Sequence, residues 1–462
     1  MKTTKYIANY RHLAGAMVIF LSNFAWAGIP VQQWTQASGA RVSLVESPAI
    51  PMVDVQIDFD AGGRRDPAGL AGLAAMTAGQ VSNGVLAVPG APARDENALS
   101  EAWADLGASF GASAGTDRMS FTLRSLTYPD LLARAVALAA QQIGAPAFAQ
   151  AEWLRDRERV KASLKEANTR PATQAQRAFD KAVFGDHPYG RETTEASLMR
   201  IGTDDMRTLY ARLIAPCRAV VSIVGAVTRA QADAMAAQLL SQLPAGATSP
   251  AAAASTSAPM PAACAPLPPV PEVAPLAAPQ ELRLPFHSAQ AHVLIGQPGY
   301  KRDDPDYFAL TVGNYILGGG GFVSRLTAEV REKRGLSYSV YSYFAPGLHA
   351  GAFAVGLQTR PDQATQAVQV ARDVLQKFVS DGPTAAELKA AKDYFSGSFA
   401  LRIDTNQKLL GNISNMAWNH LPIDYLDTWT QQVEKVTVAD IKAAFARKLQ
   451  PDKMVTVVVG GE

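Results

Sequence analysis

Residues 317–342 read LGGGGFVSRLTAEVREKRGLSYSVYS. The four consecutive glycines predict a turn, because glycine adopts left-handed backbone conformations without strain. Arg331 lies shortly before Gly335, where a cation stabilises the C-terminal end of a helix. Tyr338 falls in the run that follows, which predicts a β-strand. The segment therefore predicts a glycine-rich turn, a short helix and a strand in succession.

A strand–turn–helix unit precedes this segment and has a copy early in the chain. In the later copy, residues 292–296 (HVLIG) predict a strand, residues 299–305 a turn and residues 307–317 a helix. In the earlier copy, the alternating residues 52–59 (MVDVQIDF) predict a strand, and residues 61–67 (AGGRRDP) predict a similar turn before an apolar helix.

The two parts of the chain also end alike. Residues 206–214 and 441–449 predict helices, and a strand rich in valine follows each of them, at residues 219–225 and 454–460. Together with the matching starts, these ends indicate an internal duplication.

Long amphipathic segments lie between the opening and closing strands of each copy, at residues 129–143, 149–168, 361–379 and 385–396. We expect each copy to be an α+β domain in which helices cover one face of a mostly antiparallel sheet. The other face of each sheet would then be free to line a chamber.

The boundary between the copies is residues 241–280, which contain ten prolines, thirteen alanines and a single charge, Glu272. Such a stretch cannot bury a core, so we expect a largely extended linker. The predicted organisation is a first domain at residues 28–240 and a second at residues 281–462.

Residues 1–27 are typical of a signal peptide, with a basic start, a short apolar run and the sequence Ala25-Trp26-Ala27 just before Gly28. We expect cleavage after Ala27 and export, to a bacterial periplasm. An uncleaved membrane anchor is the alternative. No later segment reaches the roughly 18 apolar residues of a membrane-spanning helix, so we expect none in the mature chain.

Composition indicates the class of protein and excludes some classes of binding partner. The 462 residues are 48% hydrophobic and 18% charged, with a net charge of +2, which is typical of a globular protein. Three of the positive charges lie in the predicted signal peptide, so the mature chain is nearly neutral and we expect no nucleic-acid partner. Cys217 and Cys264 lack the spacing of a metal site, and the sequence leaves open whether they pair.

The residues alone give no catalytic constellation. Of the six histidines, the five outside the predicted signal peptide have no histidine or cysteine three or four residues later. The sequence therefore lacks a helical pair of metal ligands. It also lacks a Gly-x-Ser-x-Gly nucleophile motif and a phosphate-binding loop.

Residues 317–342 resemble the second-domain signature of the insulinase/pitrilysin-type zinc peptidases, the inverzincin group that includes mitochondrial processing peptidase. In that family a glycine-rich turn leads to a short helix, an arginine and, seven residues later, a tyrosine on the next strand. Arg331 and Tyr338 hold those positions. The duplication, the linker and residues 185–190 (GDHPYG) also match, so the resemblance covers nearly the whole mature chain.

The chain departs from the family where catalytic members carry His-x-x-Glu-His, the two zinc ligands and the general base. Ala75, Ala78 and Gly79 stand at those three positions, and Glu158 is the only trace of a more distant glutamate ligand. Methyl groups and hydrogens neither bind zinc nor move a proton. We therefore expect no metal in this chain and no catalysis by it alone.

The resemblance implies a division of labour between two subunits of a clamshell. This chain would supply Arg331, which donates to a substrate carbonyl, and Tyr338, whose hydroxyl stabilises the oxyanion. Glycines would let its backbone approach a bound peptide closely; they are Gly318, Gly319, Gly320 and Gly321. A homologous exported subunit would supply zinc, and the pair would cleave peptides.

Two other classes of function stay open. The first is a structural or assembly protein of the same fold, as with core subunits of respiratory complexes. The second is a peptide-binding or chaperone-like homodimer without zinc. The presence of both Arg331 and Tyr338 favours the peptidase subunit over these alternatives.

Overall fold

A computed structural model describes residues 28–244 and 264–461. The predicted signal peptide, residues 1–27, lies outside the described residues, and so does the middle of the predicted linker, residues 245–263.

The strands, in chain order, are β1 (Val31–Thr35), β2 (Arg41–Glu46), β3 (Met52–Phe59), β4 (Gly84–Val85), β5 (Arg94–Asp95), β6 (Ser109–Ala114), β7 (Met119–Leu126), β8 (Val220–Gly225), β9 (Gln280–Leu284), β10 (Ala291–Pro298), β11 (Ser339–Phe344), β12 (Ala352–Thr359) and β13 (Val455–Val459).

The α-helices are α1 (Leu73–Gln80), α2 (Glu96–Asp105), α3 (Pro129–Gly144), α4 (Gln150–Ala167), α5 (Pro171–Phe184), α6 (Glu195–Arg200), α7 (Thr203–Leu213), α8 (Arg229–Leu240), α9 (Tyr307–Asn314), α10 (Ala364–Asp381), α11 (Ala385–Ser398), α12 (Asn406–Trp418), α13 (Tyr425–Lys435) and α14 (Val438–Lys448). Threonine side chains cap the N-termini of several of them, as Thr384 does for α11 and Thr437 for α14.

Two sheets follow the same plan. The strand order of the first is β1-β2-β8-β3-β7-β6, and that of the second is β9-β13-β10-β12-β11. Apart from β1, the orders correspond strand for strand, and each sheet has one parallel pair, β2 with β8 and β9 with β13. All other neighbours in the two sheets are antiparallel. The predictions of an α+β fold and of two copies of one plan are therefore confirmed.

Each sheet packs one face against the helices of its own half. In the second sheet, alternate residues such as Val293 and Ile295 of β10 join a core with Phe378 of α10 and Phe445 of α14. In the first sheet, Val55 and its alternate neighbours on β3 face the core formed with α1, α3 and α7. This is the helix-covered face that the sequence predicts.

The opposite face of each sheet is covered in part by a helix from the other half. Helix α5 of the first half lies on β10 and β13, and its fully buried Phe179 packs against Leu294 and Val457. Helix α12 of the second half lies on β3 and β8, where Ser414 Oγ donates to Asp58 Oδ2 at 2.7 Å. The expected free face that would line a chamber is therefore not free at its central strands, which these two crossing helices occupy.

The described end of the linker runs without helix or strand and is fixed to both halves. We call residues 264–279 the linker strap. His187 contacts the Pro271 carbonyl oxygen through Nε2 at 2.9 Å and accepts the Tyr189 backbone N–H at Nδ1, 3.1 Å away. Because a carbonyl only accepts, Nε2 carries the proton and the imidazole is neutral. Glu272 forms an ion pair with Lys301 at 3.0 Å, and its other carboxylate oxygen lies 3.1 Å from His349 Nδ1.

The two cysteines, whose pairing the sequence left open, form a disulfide. Their Cα atoms are 5.5 Å apart, which is an ordinary separation for a disulfide. Since Cys264 begins the linker strap and Cys217 lies just before β8, the bond ties the strap to the first half. None of the described helices combines the length and apolarity needed to cross a membrane.

Protonation of His187 should loosen the linker strap. Burial lowers the pKa of His187, with His349 and Arg191 acting in the same direction and Pro271 and Glu272 opposing them. The unfolded chain therefore binds a proton more readily than the folded chain. The stability contributed by His187 is complete above about pH 6.5 and is lost as the pH falls from there towards the lowered pKa.

We expect the unfolding free energy of wild type to fall more between pH 7.5 and 5.5 than that of His187→Gln. For one proton the difference cannot exceed about 1.4 kcal/mol per pH unit. Urea unfolding at the two pH values measures it, and His287→Gln, at an exposed position, should behave as wild type does. Equal pH dependence in wild type and His187→Gln would contradict a titrating role for His187.

Candidate functional site

The segment 317–342 folds as a turn, a helical turn and a strand, as predicted, but its helical parts are π-helical. They span Tyr315–Gly319 and Thr327–Glu332. The Gly320 N–H donates to the Tyr315 carbonyl at 2.8 Å, and the Lys333 N–H donates to the Ala328 carbonyl at 3.0 Å, so both bonds span five residues. Single π-helical turns are frequent at functional sites.

Packing within the chain accounts for most of the glycine run. A Cβ on the buried Gly318 would lie 2.5 Å from the backbone nitrogen of Ser342, so only glycine lets this turn rest on β11. A Cβ on Gly319 or Gly320 would lie 2.8 Å from Asn314 Nδ2 or 2.7 Å from the Tyr315 carbonyl oxygen, respectively. Gly321 has a φ of +59° and is exposed.

Arg331 lies between two exposed aromatic rings. Its Cζ is 4.7 Å from the centre of the Phe322 ring and 4.9 Å from that of Tyr338. Phe322 is 69% exposed and Tyr338 is 81% exposed. We call these three residues the Arg331 cluster. The structure thus brings the predicted pair Arg331 and Tyr338 together at one surface site.

The donors of the Arg331 cluster are unused within the part of the chain that the structure describes. Arg331 has neither an ion pair nor a side-chain hydrogen bond there, whereas Arg325 on the same segment makes a two-pronged contact to Glu387 at 2.6 and 2.7 Å. Cation–π contacts orient a guanidinium without consuming its five N–H donors. Arg331 and the Tyr338 hydroxyl can therefore both donate to a carbonyl or carboxylate oxygen of a bound molecule.

Strand β11 begins directly after Tyr338 and lies at the edge of the second sheet. Among the described strands it pairs with β12 alone. Its outer edge therefore has no strand partner there, although the Ser342 carbonyl accepts from Asn314 Nδ2 at 3.1 Å. Pairing of an extended peptide with such an edge is a common mode of peptide recognition.

Sequence reasoning missed Phe322. The signal was present in the adjacent apolar residues Phe322 and Val323, which follow a glycine run and precede a polar serine. Val323 is 73% exposed. Two exposed apolar side chains beside the Arg331 guanidinium form a surface suited to contact with another molecule.

The predicted positions of the lost zinc motif lie on α1. Ala75 and Gly79 are exposed and Ala78 is fully buried. Apart from the chain neighbours of Gly79 and the backbone of α1, no described atom lies within 4 Å of the place a Gly79 Cβ would take. None of the three side chains has a donor atom for a metal. Over residues 28–244 and 264–461, no group of three or more histidine, cysteine or acidic residues could hold a metal ion. The residues present do not fit a zinc ion.

A polar contact joins α1 to α4 beside these positions. Gln80 Nε2 donates to Asp156 Oδ2 at 2.8 Å, and Asn83 Nδ2 donates to the same oxygen. Burial raises the pKa of Asp156, but the hydrogen bonds from Asn83, Gln80 and Arg155 outweigh it, and the pKa ends below its ordinary value. Glu158, the only trace of the distant glutamate, is 61% exposed in its side chain and lies 4.0 Å from Lys161 Nζ.

Family models match both halves of the chain. Residues 41–197 match "Insulinase (Peptidase family M16)", and residues 200–395 match "Peptidase M16 inactive domain". The crystal structure of a peptidase M16 inactive domain from Pseudomonas fluorescens is similar, with 33% identity and a TM-score of 0.84, over 94% of this chain and 98% of that chain.

Curated relatives match over a shorter region. An uncharacterized zinc protease of Streptomyces coelicolor is 37% identical over 156 residues, which are 33% of this chain and 33% of the relative. The non-peptidase homolog YmxG of Helicobacter pylori is 34% identical over 155 residues, 33% of this chain and 35% of the relative. The chain thus spans about a third of the length of these two relatives. The second name is consistent with a family member that does not itself catalyse.

Proposed function

The chain belongs to the M16 (insulinase) family of peptidases, and from this membership we propose that it is the non-catalytic, substrate-binding subunit of a heterodimeric zinc peptidase. The Arg331 cluster is the observation that carries this proposal. It holds a guanidinium and a phenol at one exposed site and leaves their donors unused by the described chain.

The proposed role of each subunit follows from the side chains of this chain. The first half lacks metal ligands, and the second half offers hydrogen-bond donors. Helix α1 has no metal-binding side chain at Ala75, Ala78 or Gly79, so the zinc and the activated water would come from a homologous partner. Arg331 would donate to a carbonyl of the peptide, and Tyr338 would donate to the oxyanion as it forms. The edge strand β11, next to Tyr338, would align the peptide.

We also propose that the protein is exported. A signal peptide at residues 1–27 would direct it to the periplasm. The disulfide between Cys217 and Cys264 supports this, because stable disulfides are typical of oxidising compartments outside the cytosol.

The first prediction from the proposed function concerns the Arg331 cluster in a reconstituted heterodimer with the zinc-bearing homologue. We expect Arg331→Ala and Tyr338→Phe each to lower kcat/KM for peptide cleavage by roughly 10- to 1000-fold, because each removes a donor to the transition state. Unfolding midpoints and partner binding should stay near wild type, since neither change opens a core cavity.

Arg334→Ala and Tyr394→Phe are the matched controls. Arg334 is an exposed arginine on the same segment, paired with Glu329, and Tyr394 is an exposed tyrosine stacked on Tyr315. Both control variants should cleave as wild type does. Full activity in Arg331→Ala and Tyr338→Phe would favour a structural or assembly protein instead.

The second prediction concerns metal content. We expect the isolated chain to contain no stoichiometric zinc and to cleave no peptide, because α1 lacks ligands and a general base. Elemental analysis of the purified chain, before and after zinc is added and removed by gel filtration, measures this. One tightly held zinc per chain, with activity lost on chelation, would overturn the proposal.

The third prediction concerns the N-terminus. Protein purified from the native host should begin at Gly28 and occur in the periplasmic fraction. Intact-mass spectrometry identifies the first residue, and an unprocessed Met1 in the cytosol would contradict export.

A further inference from the structure

A pocket of about 490 Å³ lies at the seam between the two halves. The first half contributes the turn between β6 and β7 and one side of α5, and the second half contributes β11, the start of β12 and the end of α12. Aromatic side chains form much of its wall: Phe184, Tyr189, Tyr343 and Trp418. We call it the seam pocket.

Two of the three charged groups that line the seam pocket are neutralised by partners. Asp117 is paired with Arg64, whose Nε lies 3.1 Å from Asp117 Oδ1. Arg118 is paired with the buried Asp58 at 3.0 Å and lies over the Trp418 ring at 5.7 Å. Neither residue leaves a net charge in the pocket.

Asp180 is the exception. It is half-buried on α5, and within residues 28–244 and 264–461 its one side-chain hydrogen bond comes from Gln176 Nε2 at 2.9 Å. No lysine, arginine or histidine within the described residues forms an ion pair with it, and the nearby Glu192 is already paired with Arg177. A carboxylate that is partly shielded from water and has no counter-ion is poorly solvated, so this site favours a cation supplied from outside.

Burial raises the pKa of Asp180 to about 6; the Gln176 hydrogen bond lowers it, and Glu192 raises it. The carboxyl group is therefore ionised at pH 7.5 and becomes protonated as the pH falls through 6. The other titratable or charged groups around it are Tyr343, Glu192, Arg177, Asp117, Arg118 and Tyr189.

We propose that the seam pocket binds an organic cation, a guanidinium or primary ammonium group that pairs with Asp180 and lies against the aromatic wall. Aromatic faces attract such cations, and the pair with a partly desolvated carboxylate is stronger than one at the surface. The volume exceeds what a single cationic group needs, so the pocket can also take the chain that carries it. This binding is a property of the isolated chain and does not require a zinc-bearing partner.

Calorimetric titration of the full chain at pH 7.5 tests the proposal with three probes. They are N-acetylarginine amide, butylguanidine and the neutral analogue N-acetylcitrulline amide. We expect the two cations to bind and the citrulline compound not to bind. Tighter binding of the arginine amide would identify a peptide side chain as the source of the cation, and equal or tighter binding of butylguanidine would identify a small free cation.

Asp180→Asn should weaken cation binding by roughly tenfold or more, because it removes the charge and keeps the acceptor for Gln176. Asp186→Asn is the control, since Asp186 is fully exposed just beyond the end of α5 and outside the pocket. His187 titrates in the same range and contacts Tyr189 of the pocket wall, so the pH dependence is measured in His187→Gln. In that variant, binding should still weaken as the pH falls from 7.5 to 5, which tests the role of Asp180 even if Asp180→Asn misfolds. Absence of binding by both cations, equal binding of the citrulline compound, or unchanged affinity in Asp180→Asn or at pH 5 would overturn the proposal.

Discussion

The close approach of Phe179 to Gly296 is the contact on which the arrangement of the two halves depends. A Cβ at Gly296 would lie 2.8 Å from Cζ of Phe179 and 2.0 Å from the Phe353 carbonyl oxygen. Glycine at this point of β10 leaves room both for the neighbouring strand β12 and for α5 of the first half. Burying one phenylalanine side chain contributes about 1.5–3 kcal/mol, so separating the halves would expose this ring and the apolar sheet face beneath it.

The crossing of α5 and α12 makes the seam between the halves a fixed surface. The strap that follows Cys264 lies across that seam, with His187 on one side and His349 on the other, their ring centres 5.4 Å apart. The seam pocket lies between the same two crossing helices. The Arg331 cluster, by contrast, precedes β11, at the edge of the second sheet away from the strands that α5 covers, so its side chains stay open to another molecule.

The sequence predicted the helices and strands of this fold better than it predicted which of them pack together. Alternation in β3 and β10 identified the strands, and the matching order of elements identified the duplication. Amphipathicity in α5 shows that one face is buried, but it does not say which sheet that face meets, so the crossing of the helices could not be read from it. The π-helical form of Thr327–Glu332, which packs against β11 and α10, was not predicted from the sequence either.

The candidate site likewise contains residues that could be predicted from the sequence and residues that could not. The family resemblance predicted that Arg331 and Tyr338 share one site, and their spacing agrees with it, because Tyr338 at the start of the strand follows Arg331 by seven residues. The role of Phe322 depends on a contact across the glycine turn, which spacing does not reveal. Likewise, Glu158 stood out in the sequence as a carboxylate, whereas the structure gives the contact with α1 to Asp156.

The two halves differ in how their site residues relate to the fold. Helix α1 is held by its hydrogen bonds to Asp66, whose carboxylate accepts from the N–H groups of Gly72 and Ala74, and by Gln80 on Asp156. It needs no metal to keep its place, so the absence of ligands at Ala75, Ala78 and Gly79 costs the fold nothing. In the second half, Arg331 carries a charge and five hydrogen-bond donors that the described fold does not use. A second molecule that completes the chemistry would account for both features. It would supply the metal ligands that α1 lacks, and it would use the Arg331 donors that the described fold leaves unused.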